Sequence, residues 1–164
     1  MSEVYLGNPN LKKANTPIEF TEDQVLEFLK CKEDPVYFAQ NYVKIVSLDE
    51  GLVPFKPYDF QEKLINNFHE NRFNICKMPR QTGKSTTVVS YLLHYAVFND
   101  SVNIGILANK AATARELLGR LQTAYENLPK WMQQGVLVWN RGSLELENGS
   151  KILAASTSAS AVRG

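Results

Sequence analysis

The run Met78-Pro79-Arg80-Gln81-Thr82-Gly83-Lys84-Ser85-Thr86 sits between an apolar stretch, Phe73 to Met78, and a helical pattern from Lys84 to Phe98. A loop at that junction aims the opening amides of the helix past the end of the strand, so this placement constrains the fold more than any other feature. Three residues there suit a polyphosphate. Gly83 lacks a side chain, so the backbone can come close to phosphate oxygens. Lys84 brings a compact positive charge to the terminal phosphates, and Ser85 offers a hydroxyl to a magnesium ion. The amides that open the helix and the helix dipole favour the same anion. Met78 holds the first loop position, where glycine is usual. Arg80 is either a surface charge or a guanidinium able to stabilise charge developing on a transferred phosphate.

The surrounding pattern extends this reading. In the helix from Lys84, residues Val88, Val89, Leu92, Leu93, Ala96 and Val97 share one face. Val102 to Leu107 reads as a second apolar strand, and Ala111 to Leu128 as a helix stopped by Pro129. Strand, loop, helix, strand, helix predicts an α/β fold of the P-loop nucleoside-triphosphatase type, with a RecA- or helicase-like parallel sheet and flanking helices. Beyond Trp131, strands are expected at Val136 to Trp139, Ser143 to Glu147 and Lys151 to Ala155, the last two joined as a β-hairpin through Asn148-Gly149. Residues 1 to about 19 read as an extended arm. Thr21 with Gln24 opens a helix as a capping box, and a second helix covers Asp34 to Val43 with Pro35 in its first turn. A loop over 47–57 and a helix from Phe60 to about His69 complete the chain. Residues 1–57 are thus an N-terminal helical and extended segment, and 58–164 the first part of the nucleotide-binding core.

Composition adds limits. A net charge of +1 argues neither for nor against nucleic acid, so any DNA contact must be local. The N-terminus lacks a basic segment followed by an apolar stretch, and the run Val88 to Phe98 is too short to span a bilayer, so a soluble intracellular protein is expected. Cys31 and Cys76, far apart in sequence, read as reduced thiols. Tyr58-Asp59-Phe60-Gln61 precedes the loop; a glutamine amide matches the donor–acceptor edge of adenine, and an aromatic neighbour can stack on its ring. Asn109 and Lys110, at the end of the second strand, are either DNA-phosphate contacts or a solvated helix start. Leu48-Asp49-Glu50 mimics a magnesium-binding strand but precedes the loop, with Lys44 and Ser47 breaking its strand character. His69 and His94 suit packing or surface roles, and Glu145 and Glu147 suit the solvent face of a hairpin.

Taken together these residues resemble the terminase large subunits of tailed phages, the T4-type members above all. Arg80-Gln81-Thr82-Gly83-Lys84-Ser85 is similar to that family's phosphate loop. The likeness is collinear through Tyr5 to Asn15, Tyr58 to Gln61, Gly105 to Ala108, Trp139 to Ser150 and Ala161 to Gly164. It implies an ATP site that uses Phe60, Gln61 and the loop residues Pro79, Arg80, Gln81, Thr82, Gly83, Lys84, Ser85 and Thr86, with Ser85 on magnesium. It implies catalytic roles for Lys84, for Arg80 as an arginine finger within the subunit, and for Arg163 toward a neighbouring subunit. T4-type members commonly carry Tyr-Gln where this chain has Phe60-Gln61, and Lys56 stands where a second adenine-side glutamine occurs.

The resemblance further implies ATP hydrolysis that drives double-stranded DNA into a procapsid. Its partners would be the portal protein and the terminase small subunit, in a homo-oligomeric ring at the portal vertex in the host cytoplasm. The family's magnesium-binding strand, coupling motif and nuclease domain are expected after Gly164, so residues 1–164 alone are expected to turn over little ATP and to leave the phosphate-loop strand poorly flanked. A superfamily 2 helicase-like ATPase and a non-catalytic nucleotide-binding module are the alternatives.

Overall fold

A computed structural model describes residues 3–47 and 49–157, and its elements follow the apolar periodicity of the chain. Helix α1, Glu22–Glu33, opens with the expected capping box: Gln24 N–H donates to Thr21 Oγ1 (3.2 Å) and Thr21 N–H to Gln24 Oε1 (3.1 Å). Helix α2, Pro35–Tyr42, is capped by Asp34, whose carboxylate accepts from the amides of Val36 (3.0 Å) and Tyr37 (2.9 Å). Pro35 sits where its missing N–H has no intrahelical role.

The expected loop over 47–57 begins differently. Lys44–Ser47 and Gly51–Pro54 form strands β1 and β2, an antiparallel hairpin with Lys44 opposite Pro54 and Val46 opposite Leu52. Lys44 does not break the strand because it lies on the exposed face of the alternation, with Ile45 turned inward. Asp49 and Glu50 occupy the turn, while Leu48 is outside the described residues.

Helix α3 spans Asp59–Glu70, α4 Lys84–Phe98 and α5 Ala111–Glu126; strands β3 to β6 are Asn103–Ala108, Val136–Trp139, Ser143–Leu146 and Lys151–Ser156. The four strands form one sheet in the order β3-β6-β5-β4. Only β3 and β6 are parallel, in register from Asn103–Lys151 to Ala108–Ser156; β6 with β5 and β5 with β4 are antiparallel. The sheet is therefore mixed rather than parallel throughout. Its buried side carries Ile106, Val136, Leu144, Leu146, Ile152 and Ala154, and α5 packs across β3 and β6. Gly149 turns the β5–β6 hairpin at φ 83°, a left-handed conformation that glycine adopts without strain.

The segment Phe73–Met78 is not a strand. It has no regular structure and no strand partner among the described residues, with Phe73 83% and Ile75 100% exposed. An apolar run forms a strand only when a neighbour takes up its backbone hydrogen bonds, and β3, the nearer edge of the sheet in sequence, pairs with β6 alone. The arm departs from expectation in the other direction. Leu11 is buried, Tyr5 N–H bonds to Leu11 O (3.0 Å), and Lys13 bridges Val136 of β4 in parallel. The arm is thus stitched to the sheet instead of lying free.

Helix α4 is central and packs on α2, α3 and α5. Around its C-terminal half, the rings of Phe28, Phe38, His94 and Phe98 meet edge-on or tilted. His94 is buried, and its Nε2–H donates to Cys31 O at 2.8 Å. Burial pushes its pKa down to about 4, more than the Cys31 carbonyl raises it, with the nearby His69 adding to the depression. A depressed histidine stabilises the fold above its unfolded pKa, near 6.5, and that stability is lost as pH falls toward 4. The chain is expected to lose about 2 kcal/mol between pH 7 and pH 5. Urea midpoints across that range test this: His94→Gln should flatten the slope, and an unchanged slope in the variant would assign it to other groups. Cys31 is buried and Cys76 exposed, and both are free thiols. Among the described residues no helix is long and apolar enough to cross a membrane.

Candidate functional site

The loop Pro79–Gly83 turns through two left-handed residues, Gln81 at φ 61° and Gly83 at φ 72°. Gly83 is the N-cap of α4 and gives it no side-chain cap. The first backbone rung of the helix is Thr87 N–H to Gly83 O (3.0 Å), reinforced by Thr87 Oγ1 to the same oxygen (3.0 Å). The amides of Lys84, Ser85 and Thr86 precede that rung and have no carbonyl one turn back within the helix. They open toward the loop with the positive end of the helix dipole. Left-handed residues beside such amides shape a concavity of N–H groups that receives anions.

Lys84 lies over the same loop. Its Nζ donates to Met78 O (2.8 Å) and Pro79 O (2.8 Å), so the ammonium is folded back over its own loop and half-buried. Thr82 Oγ1 donates to Pro79 O (3.0 Å), which tightens the same turn. Ser85 and Thr86 are half-buried at the second and third helical positions. Arg80 and Gln81 are exposed, and Arg80 forms no ion pair among the described residues.

The start of α3 meets this loop. Gln61 accepts from Tyr58 N–H through Oε1 (2.9 Å), and its Nε2 reaches Thr82 O (3.4 Å). A Cβ at Gly83 would meet the tip of the Gln61 side chain, which would have to swing aside, and the positive φ is what demands glycine here. Phe60 is 43% exposed and stacks on Tyr58, 70% exposed, with ring centroids 5.9 Å apart and planes 11° from parallel. The pairing of Tyr58 with Phe60 and the clasp of Gln61 on the loop were beyond sequence reading; a glutamine at the third helical position, where it can cap, was the available signal.

The remaining candidates lie elsewhere. Asn109 and Lys110 are exposed at the end of β3, and Lys110 caps α5 with its carbonyl, which accepts from Thr113 (3.1 Å) and Ala114 (3.3 Å). Arg163 lies outside the described residues. Glu145 pairs with Lys151 (3.4 Å), and Glu147, expected on the solvent face, is only partly exposed. Its carboxylate accepts from Asn15 N–H (2.7 Å) and Gly135 N–H (2.7 Å) and pairs with Lys12 (3.3 Å), fastening the arm to the hairpin. Burial pushes the Glu147 carboxyl up, but those two amides and the Lys12 ammonium together outweigh it and hold the group below the usual carboxylate range.

A family model described as the terminase large subunit, T4likevirus-type, N-terminal, matches residues 75–164, more than half of the chain. The chain belongs to that family. The matched stretch begins just ahead of the loop and takes in α4, α5 and the whole four-stranded sheet. A solved relative in fold is the HK97 bacteriophage large terminase, at a TM-score of 0.64 and 20% identity over 81% of this chain. The match covers 29% of that protein, so the chain spans less than a third of its length. At that identity the likeness speaks for the mixed α/β fold alone.

Proposed function

We propose that this chain is the ATP-binding part of a terminase large subunit that packages double-stranded DNA, and that the loop Pro79–Thr86 holds the triphosphate. The observation that carries this reading is that uncapped helix amides, left-handed Gly83 and the Lys84 ammonium, folded back over the loop, meet at one loop–helix junction. The residues fit the group. Two carbonyl oxygens now accept from Lys84, and phosphate oxygens are stronger acceptors for the same ammonium. Ser85 would hold magnesium, Thr86 would add an amide, and the exposed faces of Tyr58 and Phe60 would receive the base.

Bound ATP with magnesium would supply the phosphoanhydride whose hydrolysis drives DNA movement. Lys84 holds positive charge at the loop, and the exposed Arg80 is free to turn toward charge that develops there. Hydrolysis coupled to translocation, an endonuclease in another domain, a ring of copies at the portal vertex in the host cytoplasm, and contacts with portal protein and small subunit belong to this reading of the whole protein. Family membership supports it, and no observation favours the helicase-like alternative.

Titration of the isotope-labelled chain with magnesium and a non-hydrolysable ATP analogue tests the site. The amide resonances of Gly83, Lys84, Ser85 and Thr86 are expected to move together and saturate. Shifts confined to other parts of the chain would remove the loop as the nucleotide site.

A further inference from the structure

The geometry points to Gln61 as a positioning residue that sets the shape of the loop, not as the reader of the base. This rests on the nucleotide reading above. Gln61 is only 3% exposed, whereas its neighbours Tyr58 and Phe60 face solvent. A carboxamide recognises an adenine edge by presenting its oxygen and nitrogen side by side to the base. Here Oε1 is engaged by Tyr58 N–H and Nε2 by Thr82 O. Only one orientation of the amide satisfies both, because an N–H must face a carbonyl and a carbonyl must face an N–H.

The consequence for the loop follows from peptide geometry. The bond between Thr82 and Gly83 is trans, so the Thr82 carbonyl and the Gly83 N–H point to opposite sides. Gln61 holds the Thr82 carbonyl toward α3. The Gly83 N–H is thereby turned away from α3, left free to join the uncapped amides that open α4 in receiving an anion. The space that a Cβ at position 83 would take is filled by Gln61 Nε2, so the glycine and the glutamine form one fitted pair. Through Tyr58 N–H the same side chain caps α3, which ties the aromatic pair to the loop.

The test compares wild type with Gln61→Met, which keeps length and neutrality but cannot clasp Thr82 O; Gln61→Glu, which retains the acceptor for Tyr58 N–H, controls for loss of the α3 cap. Each is titrated with magnesium–ATP, magnesium–GTP and magnesium–tripolyphosphate and followed by amide resonances. Gln61→Met is expected to weaken all three ligands by the same factor, about fivefold, with the ATP-to-GTP ratio unchanged. The Gly83 amide should lose its response to tripolyphosphate while Ser85 and Thr86 keep theirs, which a general loss of stability would not produce. Weaker ATP binding with tripolyphosphate unaffected, or an undiminished Gly83 response, overturns the inference and returns Gln61 to the base. A wild-type chain that responds to none of the three ligands overturns the nucleotide reading itself, and the inference with it.

Discussion

Lys84→Ala is expected to weaken magnesium–ATP binding about a hundredfold and to leave the thermal unfolding of the chain nearly unchanged. The two halves of this expectation have separate causes. Lys84 is the first residue of α4, and its side chain bonds only to the loop carbonyls of Met78 and Pro79. Pro79 is exposed, so water can replace the ammonium there, and alanine is the best helix former. For the ligand, the ammonium is the one cation held inside the turn of the loop. A hydrogen bond to a charged group contributes about 1.5–3 kcal/mol, which brackets a hundredfold change in affinity. Lys84→Arg is not expected to rescue, because a planar guanidinium cannot fold back into a turn that a compact ammonium fits. Calorimetric titration decides the matter: a loss under fivefold would mean that the amides alone carry the affinity, or that the ligand sits elsewhere.

What the sequence made legible here was local. Gly83, the apolar face of Val89, Leu93, Ala96 and Val97, and the polar residues beyond Phe98 mark α4 at both ends, and Thr21 with Gln24 marks the start of α1. The sheet was legible strand by strand, and Asn148-Gly149 marked the antiparallel β5–β6 pairing, but the other pairings were not legible. The run Phe73–Met78 shows why: an apolar run records a tendency to be buried, and carries no information on whether a neighbouring strand is there to pair with. The hairpin of β1 and β2 escaped because its strands are four residues each, with a lysine on the outer face. In the candidate site, the loop residues were plain from their order, since glycine, lysine and serine follow one another at a helix start. The side-chain state of Gln61 was not, because it depends on Thr82, 21 residues away. Glu147 failed for the same reason at longer range. Alternation from Ser143 to Glu147 suggested solvent, but Asn15, the arm residue that donates to its carboxylate, lies 132 residues earlier.

Gln133→Ala is expected to cost about 4 kcal/mol of folding stability, more than any surface change to the loop. Gln133 is buried, and its side chain reaches four backbone partners. Oε1 accepts from Lys12 N–H (3.0 Å), while the two N–H groups of Nε2 are shared among Asn10 O (2.9 Å), Leu128 O (3.1 Å) and the more distant Tyr125 O (3.3 Å). One amide therefore joins the N-terminal arm to the C-terminal end of α5. Truncation leaves the backbone groups of the arm and of the helix end buried without that partner, at about 1–3 kcal/mol for each group left unsatisfied, partly relieved where water enters. Glu147 holds the same arm from the other side, through Asn15, Gly135 and Lys12. Gly135 leaves no room for a side chain there, because a Cβ would meet the Ala14 backbone. If the two side chains close a single lock, freeing the arm once removes what both provide. Gln133→Ala with Glu147→Ala should then cost clearly less than the sum of the single changes, by 1 kcal/mol or more on a scale of about 0.5–3 kcal/mol for coupled residues. Equilibrium urea denaturation of the four chains measures this cycle. Strict additivity would mean that the arm is held at two independent points, and a single-variant cost below about 1 kcal/mol would mean that the Gln133 network is replaced by water with little loss.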